Sequence, residues 1–374
     1  MSRVERFRPR RHLCVPELRV GHEPFHLYTE GDQLYEDMLQ SIAGARDAIR
    51  LESYIFAPDE IGWRFAEALA ARGDEGLRVR VIMDAAGSLF WHSRQLARYL
   101  RAHQVRVRWF HRWNWRRPYR YNRRDHRKLL TIDDDHLYLG GFNIHRESSR
   151  AVYGEQRWRD THVRLEGELT TVATRMFDRF WKGRKRWVLQ RERRVNVLLP
   201  NHTSRCRHAL QCLYMELFRR ARQRVYLTTP YFVPDHRTQH ALMEAARRGV
   251  DVRLLVPAKS DVRLTCWAAQ AAYAGLLESG VRIFEYQPRV LHAKTAVADG
   301  SWATLGTANL DYRSFFLNYE LNLVSRDPQL CACLEEQFLR DVEESVEIIA
   351  GKWAHRHLGH HFMEMIGWLA RHWL

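Results

Sequence analysis

The chain is written twice, and nothing else in the sequence narrows its fold as much. Residues 34–56 (LYEDMLQSIAGARDAIRLESYIF) and 210–232 (LQCLYMELFRRARQRVYLTTPYF) share one pattern. Each opens with apolar residues at helical spacing, passes a short basic turn, and ends in an alternating strand that finishes on an aromatic residue. Both then run through a Pro-Asp pair (Pro58-Asp59; Pro234-Asp235) into a second helix and an apolar strand, LRVRVIMD at 77–84 and VDVRLLVP at 250–257. A third helix follows, then VRVRWF at 105–110 against VRIFEY at 281–286. Last come DHRKLLTIDDDHLYLGGFN at 125–143 and LHAKTAVADGSWATLGTAN at 291–309. Strands alternating with helices in this order predict an α/β unit on a mixed, largely parallel sheet flanked by helices, repeated once. The 374 residues are enough for two such domains. The expected division is a first domain over 1–190, a second over 195–350 and an amphipathic tail over 351–374, with the seam in the basic stretch 181–194.

The strongest chemical signal lies at equivalent places in the two copies. His126, Lys128 and Asp133 form H-x-K-x4-D, with Gly140-Gly141-Phe142-Asn143 beyond them; His292, Lys294 and Asp299 repeat the pattern ahead of Gly306-Thr307-Ala308-Asn309. At this composition one such motif is expected roughly 0.02 times by chance, so two at matching positions are a built feature. On an alternating strand, H-x-K puts imidazole and ammonium side by side on one face, while Arg127 and Ala293 point the other way. Glycine before each asparagine lets backbone approach a ligand, and the asparagine amide can bind an oxyanion. Two halves packed face to face would surround one anion with two histidines, two lysines and two amides, which suits a phosphodiester in its transition state. No hydroxyl, thiol or metal cluster accompanies the motifs, so the histidines divide the work. One attacks phosphorus as neutral imidazole; the other, protonated, gives its proton to the leaving alkoxide and later serves as base. Each ring needs an orienting acceptor, and Asp160 in WRDTHVRL and Glu320 in NYELNLV offer one per half. The expected catalytic set is His126, Lys128, Asp133, His292, Lys294 and Asp299, with Asn143 and Asn309 as phosphate binders. For the two aspartates the pattern favours holding architecture or a neighbouring cation over moving protons, and Asp134 and Asp135 read as solvated turn residues.

These motifs resemble those of the phospholipase D superfamily over about residues 25–345. Within it, ESYIFAPDEIG (52–62), HRKLLTIDD (126–134), YGEQRWRDTHVRLEG (153–167), TPYFVPD (229–235) and HAKTAVADG (292–300) look most like bacterial cardiolipin synthases of the B-like type, without N-terminal transmembrane helices. The resemblance implies two tandem phospholipase D-like α/β domains related by pseudo-twofold symmetry, sharing one active site. It also implies transfer of a phosphatidyl group between phosphatidylglycerols with release of glycerol, without metal or other cofactor. By that analogy His126 is the nucleophile and His292 the acid/base; spacing alone does not assign the roles. Gly141 stands where many members carry serine, which removes one hydroxyl from the expected phosphate site. A phospholipid hydrolase would use the same residues with water as acceptor. A nucleic-acid phosphodiesterase and an anion-binding protein without catalysis are the more distant alternatives.

Charge bears on the partner. Sixty basic residues against 44 acidic leave a net +16, and 54 of the sixty are arginine, a surface that holds polyanions such as nucleic acid or lipid headgroups. Thirteen tryptophans and 15 tyrosines favour the bilayer interface, although bases can stack on the same rings. The first repeat carries ten extra residues before His126, within HRWNWRRPYRYNRR (111–124), where Trp113, Trp115, Tyr119 and Tyr121 alternate with arginines. That insertion reads either as a solvated loop or as a membrane-facing lip at the mouth of the site. No apolar run is long enough to span a bilayer or to act as a secretory signal. The expected partners are therefore phosphatidylglycerol or related anionic phospholipids and an anionic membrane surface, rather than nucleic acid. The expected place is the cytoplasmic face of the bacterial inner membrane, peripherally bound. The six cysteines, Cys14 among them, read as reduced thiols. His355, His357, His360 and His361 lack the carboxylate or cysteine spacing of a metal site, and 359–374 reads as an amphipathic helix.

Overall fold

In a computed structural model of the chain, residues 17–90, 93–116, 121–188, 193–204, 206, 208–260 and 262–354 are described. Cys14, Tyr119, the four tail histidines and the helix expected over 359–374 lie outside the described residues.

The first half supplies strands β1 (Phe25–Tyr28), β2 (Ala48–Ser53), β3 (Arg78–Asp84), β4 (Arg106–Phe110), β5 (Leu129–Ile132), β6 (His136–Gly140) and β7 (His162–Glu166). The second supplies β8 (Asn196–Pro200), β9 (Arg224–Thr228), β10 (Phe232–Val233), β11 (Asp251–Pro257), β12 (Arg282–Tyr286), β13 (Thr295–Ala298), β14 (Trp302–Gly306), β15 (Leu310–Asp311), β16 (Leu321–Ser325) and β17 (Ser345–Glu347). The first sheet runs β1-β7-β6-β5-β2-β3-β4; the second runs β8-β16-β14-β13-β9-β11-β12 and adds β17 at its edge. The order is the same, so the repeat seen in the sequence is a repeat of topology. β10 and β15 form a separate parallel ribbon.

The sheets are mixed, as expected, but not largely parallel. In the first sheet only β2-β3 and β3-β4 are parallel, and in the second only β9-β11 and β11-β12; the remaining pairs are antiparallel. The reason is connection length. A helical crossover is long enough to restart a parallel strand, and only the first three core strands of each repeat have one. β5 and β6, and likewise β13 and β14, are joined by tight turns and run antiparallel.

The Pro-Asp pairs begin the second helices as caps. Asp59 accepts from the Gly62 amide at 2.9 Å, and Asp235 from the Arg237 amide at 3.0 Å, which satisfies helix N–H groups that have no internal partner. Each sheet buries both faces. Leu130 and Ile132 face a core under helices Gly31–Ala43, Glu60–Asp74 and Arg94–Ala102. Leu129, Leu137, Leu139, Val163 and Leu165 face inward and pack with Leu198, Val297, Leu305, Leu321 and Leu323 of the second half. That shared apolar core fixes the two sheets against each other.

The carboxylates of the motif aspartates are bound into this scaffold. Asp133 begins the β5-β6 turn, with φ +52° at Asp133 and +60° at Asp134, closed by the Asp135 amide on the Ile132 carbonyl at 2.9 Å. Both central residues are left-handed, the geometry of a tight hairpin turn. The Asp133 carboxylate accepts from the amides of Arg46, Asp47 and Ala48 at 2.5, 2.8 and 2.8 Å. Asp299 (φ +52°) does the same for Arg222, Gln223 and Arg224 at 3.0, 2.8 and 3.0 Å. Four residues lie between each aspartate and its lysine, about 16 Å from one to the other at strand rise. Asp134 is also engaged, accepting from Thr174 Oγ1 at 2.5 Å. Replacing Asp133 by Ala removes three charge-assisted bonds and is expected to cost about 2–4 kcal/mol in urea unfolding, while the folded fraction stays active. Unchanged stability with turnover abolished would return Asp133 to the chemistry.

Candidate active site

The H-x-K segments lie just before β5 and β13, where the chain leaves its own sheet and pairs with the opposite half. Asp125 bridges Tyr319, and Leu291 bridges Arg159, both in parallel register. The His126 amide donates to the Tyr319 carbonyl at 2.9 Å, and the Tyr319 amide to the Arg124 carbonyl at 2.8 Å. Symmetrically, the His292 amide donates to the Arg159 carbonyl at 2.7 Å and the Arg159 amide to the Val290 carbonyl at 2.8 Å. The residue following each docking position carries a carboxylate. His126 Nδ1 lies 3.0 Å from Glu320 Oε2, and His292 Nδ1 lies 2.6 Å from Asp160 Oδ2. The sequence offered one acceptor per half; the fold crosses them, so each ring is oriented by the other repeat.

Strand alternation directs the rest. Arg127 faces away from His126 and Lys128, pairing with Glu52 at 3.0 Å and Asp125 at 3.2 Å above the Phe180 ring. Lys128 Nζ donates to the His126 carbonyl at 2.8 Å and lies 5.3 Å from the Tyr54 ring centre. Lys294 Nζ donates to the His292 carbonyl, is 2.9 Å from His292 Nδ1 and 3.9 Å from Asp160 Oδ2. All six groups, two histidines, two lysines and two carboxylates, are buried.

Burial and like charge set the protonation states. Lys128 is pushed down to about 7, by burial first and by the Lys294 ammonium next. Burial also lowers His126, against the opposing pull of Glu320, so its ring is neutral at pH 7. Burial by itself would raise Asp160 and Glu320; their cationic and hydrogen-bonding neighbours, Lys294 and His292 for Asp160 and His126 and Lys128 for Glu320, hold both below the ordinary carboxylate range. Two buried lysines with two carboxylates already committed to histidines leave a place where one more negative charge is favourable. A phosphodiester supplies that charge.

The asparagines are placed differently from each other. Asn143 accepts the Ile55 amide through Oδ1 at 3.2 Å, so its NH₂ is not used in that contact. Asn309 donates its NH₂ to Asp311 at 3.0 Å, and its own amide binds Ser314 Oγ at 3.1 Å. Sequence reasoning missed the groups that hold Glu320: Thr307 Oγ1 donates to it at 2.5 Å and Ser314 Oγ at 3.1 Å. Thr307 stands inside the Gly-x-x-Asn run and could have been noticed there; Ser314 gives no signal in the sequence. Tyr54, 4.9 Å from the His126 ring, and Trp158, 5.1 Å from the His292 ring, were also missed as wall residues. Among the described residues, no three His, Cys, Asp or Glu side chains gather as a metal ion would require.

Within the motif regions, Gly141 stands where the second half has Thr307. A Cβ there would stand 1.9 Å from Asp160 Oδ1, so the close carboxylate explains the missing side chain. At the equivalent place Thr307 reaches the longer Glu320 instead. Gly141→Ala is therefore expected to displace Asp160 and lower turnover about tenfold or more with a fold unchanged by circular dichroism. Full activity would mean that Asp160 does not need its present position.

The profile of the family "Cardiolipin synthase, PLD-like domain" matches residues 38–181 and 214–342. The chain is 34% identical over 361 residues to a cardiolipin synthase of Listeria monocytogenes serotype 4a (strain HCC23), covering 91% of this chain and 73% of that one. It is 32% identical over 336 residues to a probable cardiolipin synthase of Bacillus subtilis (strain 168), covering 85% of this chain and 66% of that one. Among solved structures, phosphatidylserine synthase of Haemophilus influenzae Rd KW20 superposes with a TM-score of 0.72 at 15% identity, over 95% of this chain and 93% of that one, a likeness of fold. With its duplicated motif and matching profile, the chain belongs to the phospholipase D-like cardiolipin synthase family of phosphatidyltransferases.

Proposed function

We propose that this site transfers a phosphatidyl group from one phosphatidylglycerol to another and releases glycerol. The observation that carries the reading is the crossed pair of histidine–carboxylate contacts, which commits each Nδ1 and makes Nε2 the reacting nitrogen of both rings. In the first step His126 Nε2 attacks phosphorus and forms a P–N bond. The P–O bond to glycerol breaks, and the leaving oxygen takes its proton from His292. In the second step the hydroxyl of another phosphatidylglycerol gives its proton to His292, its oxygen attacks phosphorus, and His126 leaves. Lys128, Lys294 and the Asn143 amide, with the second N–H of Asn309, would hold the phosphoryl oxygens as charge builds. Asp160 and Glu320 orient the rings and stabilise the imidazolium form. Family membership supports phospholipids as substrates.

The same reading divides the chain into domains at 1–190 and 195–350 with a tail at 351–374; it is supported by strands of the first sheet ending at Glu166 and strands of the second beginning at Asn196. Among the described residues no helix is long and apolar enough to cross a membrane. A peripheral seat on the cytoplasmic face of the inner membrane is supported by the net +16 and by Trp113 and Trp115, 64% and 75% exposed in the arginine-rich insertion.

Incubation with phosphatidylglycerol vesicles, followed by mass spectrometry of the lipids, should yield cardiolipin and one glycerol per turnover, and His126→Ala should yield neither. Phosphatidic acid as sole product would make the enzyme a hydrolase, and substantial turnover by His126→Ala would remove the nucleophile from His126. Changing Trp113 and Trp115 together to Ala should weaken vesicle sedimentation about tenfold while sparing a soluble short-chain diester. Equal losses on both would argue against a membrane-facing insertion.

A further inference from the structure

We infer that Glu52, Asp84, Arg124, Asp125 and Arg127 form a buried positioning network that holds the His126 segment and the foot of the 111–124 insertion as one body. All five residues are buried. Asp84, the last residue of β3, is the hub. Its carboxylate accepts the amides of Ala86 and Gly87 at 2.8 and 3.1 Å, the amide of Asp125 at 2.8 Å and the Arg124 guanidinium at 3.3 Å. Arg127 then joins Asp125, at 3.2 Å, to Glu52 on β2, at 3.0 Å. The segment is thereby fastened to its own sheet on both sides of His126, while the His126 amide is docked on the Tyr319 carbonyl of the other half.

The second repeat shows that the fold does not require these charges. Asp133 holds the Ala48 amide as Asp299 holds that of Arg224, and Ala48 pairs with Arg78 as Arg224 pairs with Asp251. On that register Thr228 stands for Glu52 and Pro257 for Asp84, while the motif aligns Val290, Leu291 and Ala293 with Arg124, Asp125 and Arg127. None of these replacements is ionisable, yet Leu291 makes the equivalent bridge to Arg159 and His292 still reaches Asp160. There the opposing strand carries the buried pair, Arg159 with Asp341 at 2.8 Å. Buried ion pairs seldom stabilise a fold more than apolar residues of similar size. Burial also raises Asp84 to about 6 and opposes the charged forms of Glu52 and Asp125. Stability alone therefore does not account for the network.

The insertion does. It too is confined to the first copy, and its two ends are tied together beside the site. Arg124 donates to the His111 carbonyl at 3.0 Å, and His111 Nδ1 lies 2.8 Å from the Arg123 carbonyl. Arg124 is two residues from His126, so a displacement of the loop that bears the exposed Trp113 and Trp115 would pass directly to the ring. A guanidinium held between Asp84 and the His111 carbonyl blocks that displacement, because its planar fork fixes both partners in direction as well as distance.

The test installs the second copy's own residues in the first, Glu52→Thr, Asp125→Leu and Arg127→Ala together, with Asp84→Asn as a separate and milder variant. Both should keep the far-ultraviolet circular dichroism of the parent, and if the triple variant does not fold, Asp84→Asn decides. The first readout needs no substrate: the Nδ1 proton between His126 and Glu320, assigned by its loss in His126→Ala, should shift or broaden in the proton NMR spectrum while that of His292 stays. In the phosphatidylglycerol assay, kcat should fall about tenfold or more with KM changed less than about twofold. An unchanged His126 resonance in a folded variant overturns the network. So does a lowered Tm in a variant whose folded fraction keeps its kcat, which is the mark of packing alone. The inference rests on the phosphatidyltransferase reading only for the kinetic readout: if that reading fails, the parent itself makes no cardiolipin, yet the resonance still responds.

Discussion

Two short parallel bridges between the repeats, Asp125 to Tyr319 and Leu291 to Arg159, determine how the site is assembled. A strand pairing fixes register to one residue, because a slip of one position would turn every side chain to the opposite face. Here register places a carboxylate one residue beyond each docking point, and so brings Glu320 to His126 and Asp160 to His292. Neither repeat can orient its own histidine. The shared apolar core around Leu139, Val163, Leu305 and Leu321 holds the two sheets in the position that the bridges require. Packing and catalytic geometry are thus one constraint.

The electrostatics follow from that assembly. Taken singly, buried Lys128 and Lys294 would each be costly, and side by side they oppose each other's charge. Their partners are the two carboxylates, which also serve the histidines. Burial lowers both Lys128, to about 7, and His126. A phosphodiester bound there would favour the charged form of Lys128 just where charge accumulates on phosphorus. The motif aspartates are part of the scaffold that keeps this arrangement, their carboxylates tying the hairpin turns to the starts of β2 and β9.

The two copies have diverged around a common frame. Gly141 with the short Asp160 and Thr307 with the longer Glu320 are two solutions to one spatial problem, holding a carboxylate against a ring from the opposite half. Glu320 is fixed by hydroxyls of Thr307 and Ser314, whereas Asp160 is fixed by the Thr161 amide at 2.7 Å and by Lys294. The histidines consequently sit in unequal surroundings, which suits a reaction that gives them unequal tasks. The insertion occurs in only one copy, so the entrance, unlike the reacting groups, is asymmetric.

Much of this was legible before any coordinates. The duplicated H-x-K-x4-D motif, the order of helices and strands, and the Pro-Asp entry to the second helices all follow from local spacing, since each depends on residues close together in the chain. Strand alternation also decided in advance that Arg127 would point away from His126. The parallel character of the sheets was overestimated, because helical periodicity reveals crossovers more readily than it reveals that β5 and β13 run antiparallel beside β2 and β9. For Asp133 and Asp299 the pattern favoured an architectural place but did not say which amides each carboxylate would hold. A motif records that residues recur together, whereas only the fold showed that a strand of about 16 Å carries each aspartate away from its lysine. The sequence by itself determined that two histidines, two lysines and two acceptors exist in two matched sets. Only the tertiary structure decided that the sets interlock, because which carboxylate meets which ring depends on strand pairing between residues 132 and 194 positions apart.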